Sequence, residues 1–292
     1  MEVQPGPPGL PRPGPGRPTF PCMRTPKTAL ALLLISLASA SKPDLSEAFF
    51  LNGDSVILFL GDSITANGGY LKGLQTALLK RHPGMKAKFV NAGISGEAMP
   101  GLLKRADSVL RVNKPDLVFS SYGMNDGGYN PMSPAKLKSY QDGVATLKAK
   151  VDALGVPLIL MTPTAFDSLT AVPLIVPAPP YSFRKFYANY DSVLTAYGNT
   201  VAGFRAADQM VIDIQNPLRE WAKAKRKTEP DFAWTSEGVH PTAAGHQLMA
   251  DAIYAALFPA PSALARRGIP SRTVPGLAGS GYSANGARIR VR

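Results

Sequence analysis

Thiols are almost missing from this chain: of 292 residues one is a cysteine, Cys22, and it lies close to the N-terminus. Beyond that point a disulfide framework, a thiolate metal site and a cysteine nucleophile are all excluded. Histidine is scarce too, with His82, His240 and His246 the full set. No two of them share ligand spacing with a third donor, so no metal and no other cofactor is expected. The apolar run Ala29–Leu37 falls well short of the roughly 20 residues that cross a bilayer, so no stable membrane span is expected. Acidic side chains are absent from residues 259–292, which carry six arginines. Much of the formal net charge of +12 therefore sits at the ends, and residues 41–258 are nearly balanced, with 22 basic against 19 acidic side chains. A balanced body excludes nucleic acid as the main partner, and the run Lys223–Lys227 reads as a solvated helix face.

What is present divides the chain into four parts. Residues 1–22 are rich in Pro and Gly and are expected to be a disordered extension, or a stretch ahead of a true start at Met23. Residues 23–40 begin with Arg24 and Lys27, continue through the apolar run and close on Ala38-Ser39-Ala40, the pattern of a secretory signal peptide. That predicts a secreted or periplasmic protein. Residues 41–258 form one globular domain, and 259–292 a disordered basic tail.

Within the domain, apolar runs of strand length alternate with helical periodicity. Val56–Leu60 is continuous rather than alternating, as in a strand covered on both faces. Further strands are predicted at 88–90, 117–119, 156–161 and 210–212. Helices are predicted at 71–82, 102–112, 134–154, 183–205 and 241–257. The clearest begins at Ser133-Pro134, carries Leu137, Tyr140, Val144, Leu147, Val151 and Leu154 on one stripe, and stops at Gly155. In the last helix Leu248, Ala252, Ile253 and Ala256 are expected to face inward. Alternating strands and helices predict a parallel α/β sheet with helices on both faces, whose ligands bind at the carboxyl ends of the strands.

The loops at that edge carry complementary chemistry. They read Gly61-Asp62-Ser63-Ile64-Thr65, Asn91-Ala92-Gly93-Ile94-Ser95-Gly96 and Gly123-Met124-Asn125-Asp126, and Glu237-Gly238-Val239-His240-Pro241 follows near the C-terminus. A serine becomes a nucleophile beside a base, an imidazole is the usual base near neutral pH, and its second ring nitrogen needs an acceptor. Glu237, three residues before His240, can be that acceptor. Asn125 can donate a side-chain N–H, and Ser63 and Gly96 backbone N–H groups, to the oxyanion of acyl transfer. Asp62 reads as a structural hydrogen-bonding residue, His246 as structural, and His82 as a surface residue at a helix end.

These four blocks, in this order, resemble those of the SGNH (GDSL) hydrolase superfamily over roughly residues 54–257. The resemblance implies a flavodoxin-like three-layer α/β/α sandwich with a five-stranded parallel sheet in order 2-1-3-4-5. It assigns Ser63 as nucleophile, His240 as base, and Gly96 and Asn125 as oxyanion donors beside the Ser63 N–H. One feature departs from the family: an aspartate usually stands where this chain has Glu237. The expected function is hydrolysis of short-chain, foremost acetyl, esters on carbohydrate, the substrate being a small-molecule or polysaccharide ester. Two alternatives stand beside it. One is a lipase-like esterase on short acyl lipids with 171–177 lining the acyl groove, and the other a non-catalytic glycan-binding protein on the same fold. The oligomeric state is left open.

Overall fold

The computed structural model describes residues 54–207 and 209–259. The predicted N-terminal extension and signal peptide, and all but the first residue of the basic tail, lie outside the described residues.

Five strands form one parallel sheet in the order β2-β1-β3-β4-β5: β1 (Val56–Gly61), β2 (Lys88–Asn91), β3 (Leu117–Ser121), β4 (Leu158–Met161) and β5 (Met210–Ile212). The predicted order holds. Ile57 to Leu60 are fully buried, as are Leu117, Val118 and Phe119, which is why these strands read as unbroken apolar runs. The register sets Phe59 beside Phe119, and their rings stack at 4.7 Å.

The helices are α1 (Ser63–Asn67), α2 (Gly69–Arg81), α3 (Met99–Asn113), α4 (Pro134–Asp152), α5 (Ser168–Ala171), α6 (Tyr190–Gly203), α7 (Gln215–Lys225) and α8 (Ala243–Leu257). α8 packs against α2 and α7, and α4 packs against α3 and α6, so helical layers flank the sheet. The strand order reverses between β1 and β3. In sheets of this kind ligands bind at that switch point, outside the carboxyl ends of the strands.

Four local expectations are corrected. The helix expected over 183–205 begins only at Tyr190, because Arg184 takes φ +66° and Phe186 exchanges backbone hydrogen bonds with Leu174 and Val176 instead. Leu154 leaves the α4 stripe and is 56% exposed, since the helix ends at Asp152 and the chain turns through Gly155. His82 is buried rather than on the surface, with its ring near Phe258.

The inward face of α8 is Gly245, His246, Met249, Ala250, Ile253 and Leu257, and Ala256 is exposed. Close approach to α2 sets that rotation. A Cβ on Gly69 would lie 2.6 Å from the His246 ring, and one on Gly73 would lie 2.9 Å from Ala250 Cβ. Hydropathy periodicity cannot register a fit made by missing side-chain atoms.

Candidate active site

The loop after β1 turns sharply into α1. A Cβ at Gly61 would sit 2.0 Å from Thr65 Oγ1 and 2.9 Å from the Ser121 carbonyl, so only glycine permits the turn. Asp62 caps α1, its carboxylate accepting from the Ile64 N–H at 2.9 Å. Burial pushes its carboxyl up to about 7. It is the structural residue that the sequence suggested. Ser63 follows as the first residue of the helix, where its N–H has no intrahelical acceptor.

The histidine arrives on a closed turn. Thr235 and Pro241 form an antiparallel bridge, the Ser236 N–H donates to the His240 carbonyl at 3.0 Å, and the Thr242 N–H to the Trp234 carbonyl at 2.8 Å. Inside that turn Gly238 takes φ +93°, and its carbonyl accepts from the Asp167 N–H at 2.9 Å. Asp167 is in turn held by Arg226, whose Nη2 reaches the two carboxylate oxygens at 2.7 and 2.8 Å.

This framework brings three of the expected residues together. His240 Nε2 lies 2.7 Å from Ser63 Oγ, across 177 positions of sequence. His240 Nδ1 hydrogen-bonds Glu237 Oε1, which also accepts from the His240 N–H at 3.2 Å. Ser236 Oγ donates to the other oxygen, Oε2. The longer side chain of glutamate therefore reaches the ring, and no backbone carbonyl takes its place. The Glu237 side chain is 13% exposed and that of His240 33%, so the pair is shielded but open on the imidazole side.

The other two expected residues form a second group. Asn125 Nδ2 donates to the Glu97 carbonyl at 3.1 Å, and Asn125 Oδ1 accepts from the Tyr129 hydroxyl at 2.7 Å. Its amide orientation is thus fixed, with one N–H left over. Gly96, next to Glu97, takes φ +77°, and nothing lies within 4 Å of where its Cβ would be. Backbone conformation rather than crowding is what calls for glycine there. The two groups are tied by their loops. The Ile94 N–H donates to the Gly61 carbonyl at 2.9 Å, and Asn91 Nδ2 to the Thr65 carbonyl at 2.7 Å.

Asp126 lies in one of the four blocks but had no role of its own there, and Tyr129 and Phe183 lie outside all four. Asp126 accepts from the Met99 N–H at 2.8 Å and the Gly123 N–H at 3.0 Å, and burial raises its carboxyl to about 6. Tyr129 sits at φ +60° beyond Gly127-Gly128, where no periodicity could flag it. Phe183, 42% exposed, meets the His240 ring edge-to-face at 5.7 Å. The apolar segment 171–177 braces this aromatic: the Phe186 N–H donates to the Leu174 carbonyl at 2.8 Å and the Val176 N–H to the Phe186 carbonyl at 3.1 Å. Among the described residues no group of three or more His, Cys, Asp or Glu is placed to hold a metal ion, and no helix is long and apolar enough to cross a membrane.

Residues 59–248 match the model of the GDSL-like lipase/acylhydrolase family. The chain belongs to that family. It is a carboxylic ester hydrolase by class. The chain is 33% identical over 132 residues to esterase TesA of Pseudomonas aeruginosa, covering 45% of this chain and 59% of TesA. It is 26% identical over 217 residues to an acetylxylan esterase of Geobacillus stearothermophilus, covering 67% of this chain and 90% of that enzyme. A crystal structure of a catalytic mutant of Axe2, an acetylxylan esterase of the same organism, is similar at TM-score 0.56 and 25% identity, over 72% of this chain and 96% of that one. An alpha/beta hydrolase enzyme from the metagenome of Lake Arreo, at 23% identity and TM-score 0.55 over 70% of this chain and 94% of that one, is similar in fold.

Proposed function

We propose that this chain is a secreted serine esterase that removes short acyl groups, acetyl foremost, from carbohydrate. The observation that carries the reading is the hydrogen-bonded series Ser63 Oγ, His240 Nε2 at 2.7 Å, and Glu237 on His240 Nδ1. With Nδ1–H held by the carboxylate, Nε2 carries the lone pair facing the hydroxyl. Ser63 Oγ attacks the ester carbonyl carbon as its proton passes to Nε2. The resulting oxyanion takes hydrogen bonds from the Ser63 and Gly96 N–H groups and from the free N–H of Asn125. The bond to the alcohol oxygen then breaks, and that oxygen leaves with the proton from Nε2. Water, deprotonated by His240, attacks the acyl-enzyme and releases the acid while Ser63 regains its proton.

Acetyl on carbohydrate is favoured by the likeness to an acetylxylan esterase over most of that enzyme's length. Secretion is proposed from the signal-like segment 23–40, with the catalytic domain beginning after Ala40. N-terminal sequencing of protein exported by a host cell tests this, with Ser41 expected first; an intact segment on exported protein refutes it.

The decisive assay compares the parent and Ser63→Ala on p-nitrophenyl acetate, a longer p-nitrophenyl ester and acetylated xylooligosaccharide. Activity that needs Ser63, falls with acyl length and extends to the oligosaccharide is expected. A rise with acyl length moves the substrate to short acyl lipids. A folded parent without serine-dependent hydrolysis refutes the catalytic reading and leaves glycan binding.

A further inference from the structure

Glu97 follows Gly96 directly, and its carboxylate is held in a network that the proposed reaction does not use. Its side chain is only 8% exposed. Oε1 accepts from Arg105 Nε at 2.7 Å, and Oε2 accepts from Arg105 Nη2 at 2.5 Å and from the Tyr122 hydroxyl at 2.6 Å. Two parallel N–H donors fix the plane of the carboxylate as well as its position. Arg105 Nη2 also donates to the Ala92 carbonyl at 2.8 Å. One guanidinium, carried on α3, therefore grips the loop after β2 at its start and at its end, with Gly96 between. The Glu97 carbonyl meanwhile accepts from Asn125 Nδ2 at 3.1 Å. Both donor groups outside the Ser63 turn thus hang on the position of one residue.

A pair this buried contributes little net stability, because the desolvation of both charges offsets their attraction. What it does supply is fixed geometry. Resting on the reading of the site given above, we infer that Arg105 is a positioning residue for ester hydrolysis. Through Glu97, with Tyr122 as the third point of the clamp, it holds the Gly96 N–H and the Asn125 amide where the oxyanion forms. It touches no reacting atom. Its effect falls on the transition state rather than on the ground-state complex, since the donors it aligns meet full charge only there.

The test uses the full chain and the variants Arg105→Ala, Arg105→Lys and Tyr122→Phe. Initial rates on p-nitrophenyl acetate are set beside the affinity for phenylboronic acid, which adds to a reactive serine as a tetrahedral anion and so probes the oxyanion donors. For Arg105→Ala the expected loss in kcat is about 10- to 100-fold, the scale of a misplacement near 1 Å, with KM little changed. Boronate affinity is expected to fall by the same factor as kcat/KM. Arg105→Lys, with one contact restored, is expected between the two, and Tyr122→Phe is expected to lose less than Arg105→Ala.

A lower melting temperature with kcat and boronate affinity at parent levels makes Arg105 merely structural and overturns the proposal. Should Arg105→Ala not fold, Tyr122→Phe decides by the same two readouts. A folded parent without Ser63-dependent hydrolysis overturns the reading of the site and the clamp together. An active parent whose variants keep their kcat overturns the clamp alone.

Discussion

Replacing Glu237 by glutamine tests whether the glutamate performs the task that an aspartate usually performs in this family. The substitution keeps length and shape and removes one charge. In the proposed mechanism His240 becomes an imidazolium when it takes the serine proton, and Glu237 is the carboxylate against its Nδ1. With the pair 13% and 33% exposed, an effective dielectric constant of about 20 is appropriate, and two unit charges about 4 Å apart then attract by about 4 kcal/mol. Partial exposure of the imidazole lowers that figure, so a loss of about 2.5–4 kcal/mol, or 10²- to 10³-fold in kcat, is expected.

A second effect acts in the same direction. A glutamine amide can donate to Nδ1 and so place the ring proton on Nε2, the nitrogen 2.7 Å from Ser63 Oγ, where it blocks acceptance of the serine proton. KM should change little, because Glu237 acts through the ring. Steady-state rates on p-nitrophenyl acetate over pH 5 to 9 read the effect, with circular dichroism as a check on folding. A folded Glu237→Gln variant within threefold of the parent kcat would refute the reasoning and leave the ring oriented by other contacts. Glu237→Asp separates reach from charge. If the longer side chain is what lets the carboxylate meet Nδ1 here, shortening it lowers kcat although the charge is kept.

Asn125→Ala removes one proposed oxyanion donor and should lower kcat by about 10²- to 10³-fold with KM nearly unchanged, read by steady-state kinetics. Gly238→Ala puts a Cβ 2.6 Å from Ala171 Cβ at φ +93°, and about 2 kcal/mol or more of stability should be lost in a urea melt. The buried Asp62 carboxyl rises from 3.8 to about 7, so the folded state binds this proton more tightly than the unfolded chain does. Its contribution is full below about pH 4 and is lost as pH rises toward 7, by at most about 4 kcal/mol. Asp62→Asn keeps an oxygen for the Ile64 N–H and should flatten that part of the pH–stability profile; an unchanged slope between pH 4 and 7 in urea melts would contradict the burial argument.

The sequence by itself determined the layered α/β class, because unbroken apolar strands such as Val56–Leu60 and the stripe on α4 are local patterns fixed by which faces are covered. It also determined the chemical types at the sheet edge, since Ser63, Asn125, Glu237 and His240 sit in short blocks whose composition is itself the signal. Tertiary structure decided that Ser63 and His240 meet across 177 positions at 2.7 Å. It decided that Glu237 has the reach to bond Nδ1, and which face of α8 turns inward. It alone revealed the Arg105–Glu97–Tyr122 clamp and the placing of Phe183 against the imidazole. These depend on loop closure, on the few tenths of an ångström that separate glycine contacts from clashes, and on side chains from different elements sharing one carboxylate. Sequence periodicity encodes burial along one element at a time, and distances between elements are settled only when the whole core packs.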